Sequence, residues 1–144
     1  MRRLVPLLIA CAALLSCEAR DSDMGVEVEE ARITLPAVRG RPGAAYFTIR
    51  TTRPVTLIGV SSPRVQRVEL HESMAAGMAP IASSPVPANG ALVFAPGGRH
   101  AMLFGIDPAL KVGDRATLVI RFEGAPAADV EAEVLGPGGG HAGH

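Results

Sequence analysis

The chain has 144 residues, with 14 basic and 14 acidic side chains, no tryptophan, one tyrosine and four phenylalanines. A zero formal balance gives it no electrostatic reason to seek nucleic acid or an anionic bilayer surface. Its two cysteines, Cys11 and Cys17, both fall near the N-terminus, which excludes a disulfide framework or a thiolate metal site in the remainder and leaves a hydrophobic core to hold one domain together.

In chain order, Arg2 and Arg3 precede the apolar run "LVPLLIACAALLS". That run is too short and too near the start to read as a membrane span, and it has the layout of an export signal. It ends "LLSC", where Leu14, Leu15, Ser16 and Cys17 resemble the lipobox of bacterial lipoproteins. The resemblance implies that residues 1–16 are a signal peptide removed in the mature chain and that Cys17 carries a lipid. An ordinary signal peptide cut nearby is the alternative, and either one exports the protein. Arg2 and Arg3 leave with the signal, so 12 basic residues remain against 14 acidic ones. Residues 17–30, "CEARDSDMGVEVEE", are acidic and weakly patterned; they are expected to form a tether, with a first strand opening near Val26.

From residue 31 to 135 the sequence consists of short β-prone runs punctuated by Pro and Gly. "AYFTIRT" sets Ala45, Phe47 and Ile49 against Tyr46, Thr48 and Arg50; "TLVIRFE" and "DVEAEVL" alternate in the same way. Period-two alternation with one apolar face describes strands packed on a core from one side. "VTLIGVSS", "VQRVELH" and "ALVFA" fit the same scheme, and no long stretch carries a 3.6-residue apolar stripe free of Gly and Pro. The expected fold is all-β, a single antiparallel sandwich or barrel. Residues 136–144, "GPGGGHAGH", have no apolar surface to bury and read as a flexible Gly/His tail.

His71, Met74, Met78, His100 and Met102 form the chemically distinctive group, in "HESMAAGM" and "RHAM". In "VQRVELHE" the face opposite Val68 and Leu70 carries Arg67, Glu69 and His71, which puts His71 at a strand end near the surface. Met74 and Met78 follow in a turn region with Gly77, where packing is a poor reason for methionine. "APGG", residues 95–98, suits a type II turn, and the strand after it projects His100 and Met102 from one face. Thioether sulfur is soft and neutral, and imidazole is borderline. Together they suit Cu(I) better than zinc, magnesium or calcium. Outside the cytoplasm methionine also avoids the disulfide formation that cysteine risks.

These residues reach a family resemblance. "LHESM" and "PVPANGALVFAPGGRHAMLFGI" are similar to the periplasmic copper chaperones called PCu(A)C, whose pattern is a His, a Met about ten residues on, then His-x-Met after about 21 more. Here 21 residues separate Met78 from His100, but only six separate His71 from Met78. The resemblance implies a cupredoxin-like Greek-key β-sandwich in which His71, Met78, His100 and Met102 coordinate Cu(I), with Met74 as the alternative first methionine. It further implies a monomer at the extracytoplasmic face of a membrane, in the periplasm, that delivers copper toward cytochrome c oxidase (CuA) assembly. The recipient would be an oxidase subunit or another copper chaperone. His141 and His144 could form a secondary Cu(II) site in the tail, since Cu(II) accepts nitrogen donors well; an unstructured terminus with incidental histidines is the plainer reading.

Other chemistries find no support in the sequence. A blue-copper carrier needs a thiolate, and Ser73 beside His71 lacks the G-x-S-x-G elbow of a serine hydrolase. No phosphate-binding glycine motif is present. The expected role is binding and transfer with no catalytic turnover. A copper-buffering lipoprotein without a dedicated recipient, and a metal-independent envelope scaffold, are the two competing classes.

Overall fold

The computed structural model describes residues 25–139. The signal segment, Cys17, His141 and His144 therefore lie outside the described residues. Within them the chain forms ten strands: β1 (Val26–Thr34), β2 (Gly43–Thr51), β3 (Val55–Ser61), β4 (Val65–Met74), β5 (Gly77–Pro80), β6 (Ser84–Val86), β7 (Gly90–Phe94), β8 (Arg99–Ile106), β9 (Arg115–Glu123) and β10 (Ala128–Leu135). No helix occurs among the described residues.

The alternation in the sequence becomes the two faces of these strands. In β9, Ala116, Leu118, Ile120 and Phe122 are buried while Arg115, Arg121 and Glu123 face solvent. In β2 the inward set is Ala45, Phe47 and Ile49, and Phe47 stacks on Phe94 of β7 with ring centroids 4.6 Å apart. Aliphatic side chains from most strands surround this pair and complete one core. Burying each of these larger side chains contributes about 1.5–3 kcal/mol.

Strand order is β5-β4-β8-β7-β2-β1-β10-β9-β3-β6, and β2 pairs with β8 as well as β7. β8 lies along Gly43–Ala45 and β7 along Phe47–Thr51, so β7 and β8 follow one another down the same neighbour. The turn between them is Ala95–Gly98: the Gly98 N–H donates to the Ala95 carbonyl at 3.0 Å, and Gly97 has φ 82°. That is the type II geometry the Pro-Gly pair predicts. β3 and β4, near opposite ends of the strand order, are joined by three residues closed by a Val65 N–H to Ser62 carbonyl bond of 3.2 Å. This short link draws the two ends together and folds the ribbon of strands into a cupredoxin-like sandwich.

One feature departs from the expectation. The pairing is not uniformly antiparallel, because β1 and β10 run parallel with Arg32, Ile33 and Thr34 opposite Glu133, Val134 and Leu135, and Phe94 meets Arg99 in a single parallel step. First and last strands are joined through the whole fold, so no short hairpin forces them antiparallel. β1 begins at Val26, where the sequence places the opening of a first strand. Its pairing with β2 shifts between Glu29 and Arg32, where Glu30 adopts φ 54°. This bulge switches the inward parity from Val26 and Val28 to Ile33, so the strand does not show one unbroken alternation.

Candidate metal centre

β4 and β8 pair without a register shift, setting Arg67 opposite Phe104, Glu69 opposite Met102, Leu70 opposite Ala101 and His71 opposite His100. Cross-strand partners share a face. Leu70, Ala101 and Leu103 therefore point into the core, at 6%, 0% and 0% exposure, while Glu69, His71, His100 and Met102 share the outer face. That face is sheltered: His100 is 9% exposed and the His71 side chain 14%. The cover comes from neighbouring segments, because His100 and Met102 border a shallow hollow of about 310 Å³ walled by Thr34, Pro36, Ala44 and Pro137. Gly43 permits this close approach of β1, β2 and β8, since a Cβ there would lie 2.7 Å from both the Thr34 carbonyl oxygen and Ile106 Cδ1.

The two imidazoles stack at 24°, with ring centroids 5.9 Å apart. A metal–imidazole bond is about 2 Å long, so one ion can reach a nitrogen of each ring after modest side-chain rotation. His71 does not stand at the strand end, as the sequence suggested; β4 continues to Met74 because β5 pairs with it and prolongs the hairpin.

Hydrogen bonding decides which nitrogen of each neutral ring keeps its lone pair. A carboxylate and a carbonyl only accept. His71 Nε2 lies 3.1 Å from Glu69 Oε2, so Nε2 carries the proton and Nδ1 is left basic. His71 Nδ1 is buried with no hydrogen-bond partner, an orphaned acceptor of the kind that a bound ion satisfies. His100 Nδ1 lies 3.1 Å from the Gly98 carbonyl, so it donates there and leaves Nε2 basic. The same carbonyl accepts the Ser73 N–H at 3.2 Å, which ties the turn to β4. Sequence reading passed over Gly98, whose contribution is a backbone atom. Glu69 and Glu72 both stand close to His71 in sequence. The structure separates them, with Glu72 pairing across to Arg99 at 3.1 Å. Glu69 Oε1 is held by Arg67, whose guanidinium sits 4.2 Å from the centre of the Phe104 ring.

Met74 and Met78 are not in an open turn. They flank a two-residue turn, Ala75-Ala76, as the end of β4 and a position in β5, with Ser73 opposite Met78 and Met74 opposite Gly77. Ser73 has the parity of His71, so Met78 belongs to the imidazole face and Met74 to the other. Both are exposed, at 59% and 62%. Met102 sits beside His100 in the hollow. Among the described residues no group of three or more His, Cys, Asp or Glu side chains could hold a metal ion. Met78 and Met102, on the face of the imidazole pair, are the soft donors that this surface offers.

Strand order and site together define the class: the fold is that of PCuAC domains. The copper-bound PCuAC domain from PmoF2 is 26% identical, superposes with a TM-score of 0.69, and matches over 78% of this chain and 94% of its own. The solution structure of CuI-DR1885 from Deinococcus radiodurans is 27% identical with a TM-score of 0.61, over 80% of this chain and 83% of its own. At the level of family, residues 26–134 match the model described as "Putative lipoprotein LpqE-like", and the chain belongs to that family. A curated relative from Leifsonia xyli subsp. xyli, "Putative lipoprotein Lxx21020", is 27% identical over 137 residues, covering 88% of this chain and 81% of the relative.

Proposed function

We propose that the protein is an exported, lipid-anchored carrier that binds one Cu(I) ion through His71 Nδ1, His100 Nε2 and the thioethers of Met102 and Met78, and passes it to a copper-accepting protein. The observation that carries this reading is the cross-strand imidazole pair, one ring of which holds a buried, unpartnered Nδ1 beside sulfur donors on the same face. The copper named for PmoF2 and DR1885 supports it from a related fold. Soft, neutral donors match a cuprous ion.

Release follows from exposure. Met78, on the edge hairpin, is open to an incoming ligand of the recipient, whereas His100 is held by Gly98 and shielded. Exchange then starts at Met78 and ends at the histidines. Delivery toward the CuA centre of cytochrome c oxidase, directly or through another chaperone, is the role that the family resemblance supports.

Anaerobic titration of the protein with Cu(I) against a competing chelator tests the binding. One tightly bound equivalent, lost in His71→Ala and His100→Ala, is expected; absence of stoichiometric binding would end the reading. Transfer to an apo CuA domain then separates a carrier from a copper buffer, which would hold the ion without handing it on.

A further inference from the structure

A second concavity of about 480 Å³ adjoins the hollow beside the histidines, sharing Leu35, Pro36 and Pro137 with it. Its floor is apolar, formed by those residues with Ile106 and Leu110, and its rim carries Arg39, Arg41 and Lys111. Val38 and Val112, in the two loops that form the groove, are 63% and 62% exposed, among the most exposed large apolar side chains of the described residues.

The rim charges are uncommitted. Among the described residues none of these three cations has a side-chain partner, while the carboxylates nearby are engaged. Asp107 pairs with Arg64 at 3.0 Å and accepts the Ala109 N–H, and Asp114 accepts the Lys111 N–H. An apolar floor ringed by free cations has the composition of a protein interface with an acidic counterpart.

We infer that this groove docks an acidic partner protein, an apolar side chain seated on the floor and carboxylates on the rim, and that the partner is the acceptor of the metal. The identification of the partner as acceptor rests on the copper reading; the wall shared with the histidine hollow puts a docked surface next to Met102. An anionic bilayer could also meet the cations, but a concave apolar floor fits a projecting side chain better than a planar headgroup surface.

The test places a photoreactive p-benzoylphenylalanine at position 112 of the full-length protein in its own cells, with position 93, exposed on β7, as the control site. The expected result is an adduct to an envelope protein through a peptide richer in Asp and Glu than in Lys and Arg. Arg39→Glu with Arg41→Glu should lower its yield at least about fivefold, as reversal of interfacial charges does, and position 93 should give none. Cu(I) affinity of the charge-reversed chain should equal that of the parent, which also reports folding; if the double variant fails to fold, Lys111→Glu replaces it. Adducts to lipid, to a second copy of this chain or to a peptide without acidic surplus would overturn the proposal. So would a charge-insensitive yield, or no adduct. A parent chain that binds no Cu(I) removes the copper reading and with it the partner's role as acceptor, leaving the docking itself standing, whereas copper binding with any of these results removes the groove proposal alone.

Discussion

Glu69 and His71 stand two residues apart on the outer face of β4, and the carboxylate accepts a hydrogen bond from the imidazole Nε2–H at 3.1 Å. Arg67 grips the other carboxylate oxygen, so the ring is set from outside the site. In the metal-free protein, nitrogen-correlated NMR should show His71 as the Nε2–H tautomer. In Glu69→Ala the tautomers should mix, and Cu(I) affinity should fall about 10- to 100-fold, the usual effect of removing such a partner. A tautomer unchanged by the substitution would break the link.

The pairing of β4 with β5 separates the two exposed methionines by face. Met78→Leu should weaken Cu(I) about tenfold, or 1.4 kcal/mol, and speed its release to a chelator. Met74→Leu should change affinity less than about twofold, since a Leu–Met exchange conserves volume. Equal effects would mean that the hairpin does not hold its register in solution.

The turn before His100 offers a purely conformational test. A Cβ at Gly97 meets nothing within 4 Å, but the residue has φ 82°. Gly97→Ala should therefore cost about 1–2 kcal/mol in urea unfolding. Gly97→Asn should cost less, because asparagine tolerates this region. Loss of Cu(I) affinity beyond the loss of stability would show that the Gly98 carbonyl also moves.

The core can be probed without touching the outer face. Phe47 is 1% exposed and stacks on Phe94, so Phe47→Ala should lower unfolding free energy by about 3–5 kcal/mol. Any fraction that remains folded should bind Cu(I) with the affinity of the parent.

Legibility in the sequence followed the strength of the local pattern. β2, β9 and β10 alternate cleanly, and the Pro96-Gly97 turn announces itself, so these elements could be read from residue order. β1 could not be read whole, because its bulge at Glu30 breaks the alternation. The parallel contact of β1 with β10 leaves no mark in either strand. At the site, His100 and Met102 were visible as a pair two apart, and parity alone would have put Glu69, not Glu72, beside His71. Which methionine shares the histidine face depended on where β4 turns, and Ala75-Ala76 carries no turn signature. The donation of His100 to Gly98, and the shelter from Pro36 and Pro137, come from distant backbone and have no counterpart in the local sequence.

The division of β4 and β8 into an inward row of Leu70, Ala101 and Leu103 and an outward row of imidazole and thioether bears on how often one molecule can work. Zinc fingers unfold when their ion leaves. A shuttle built that way would be spent after a single delivery and would offer its unwound chain to envelope proteases. Here the row that holds the sandwich together lies on the face opposite the proposed copper donors, so under the copper reading an unloaded molecule would keep its shape and be ready for the next round.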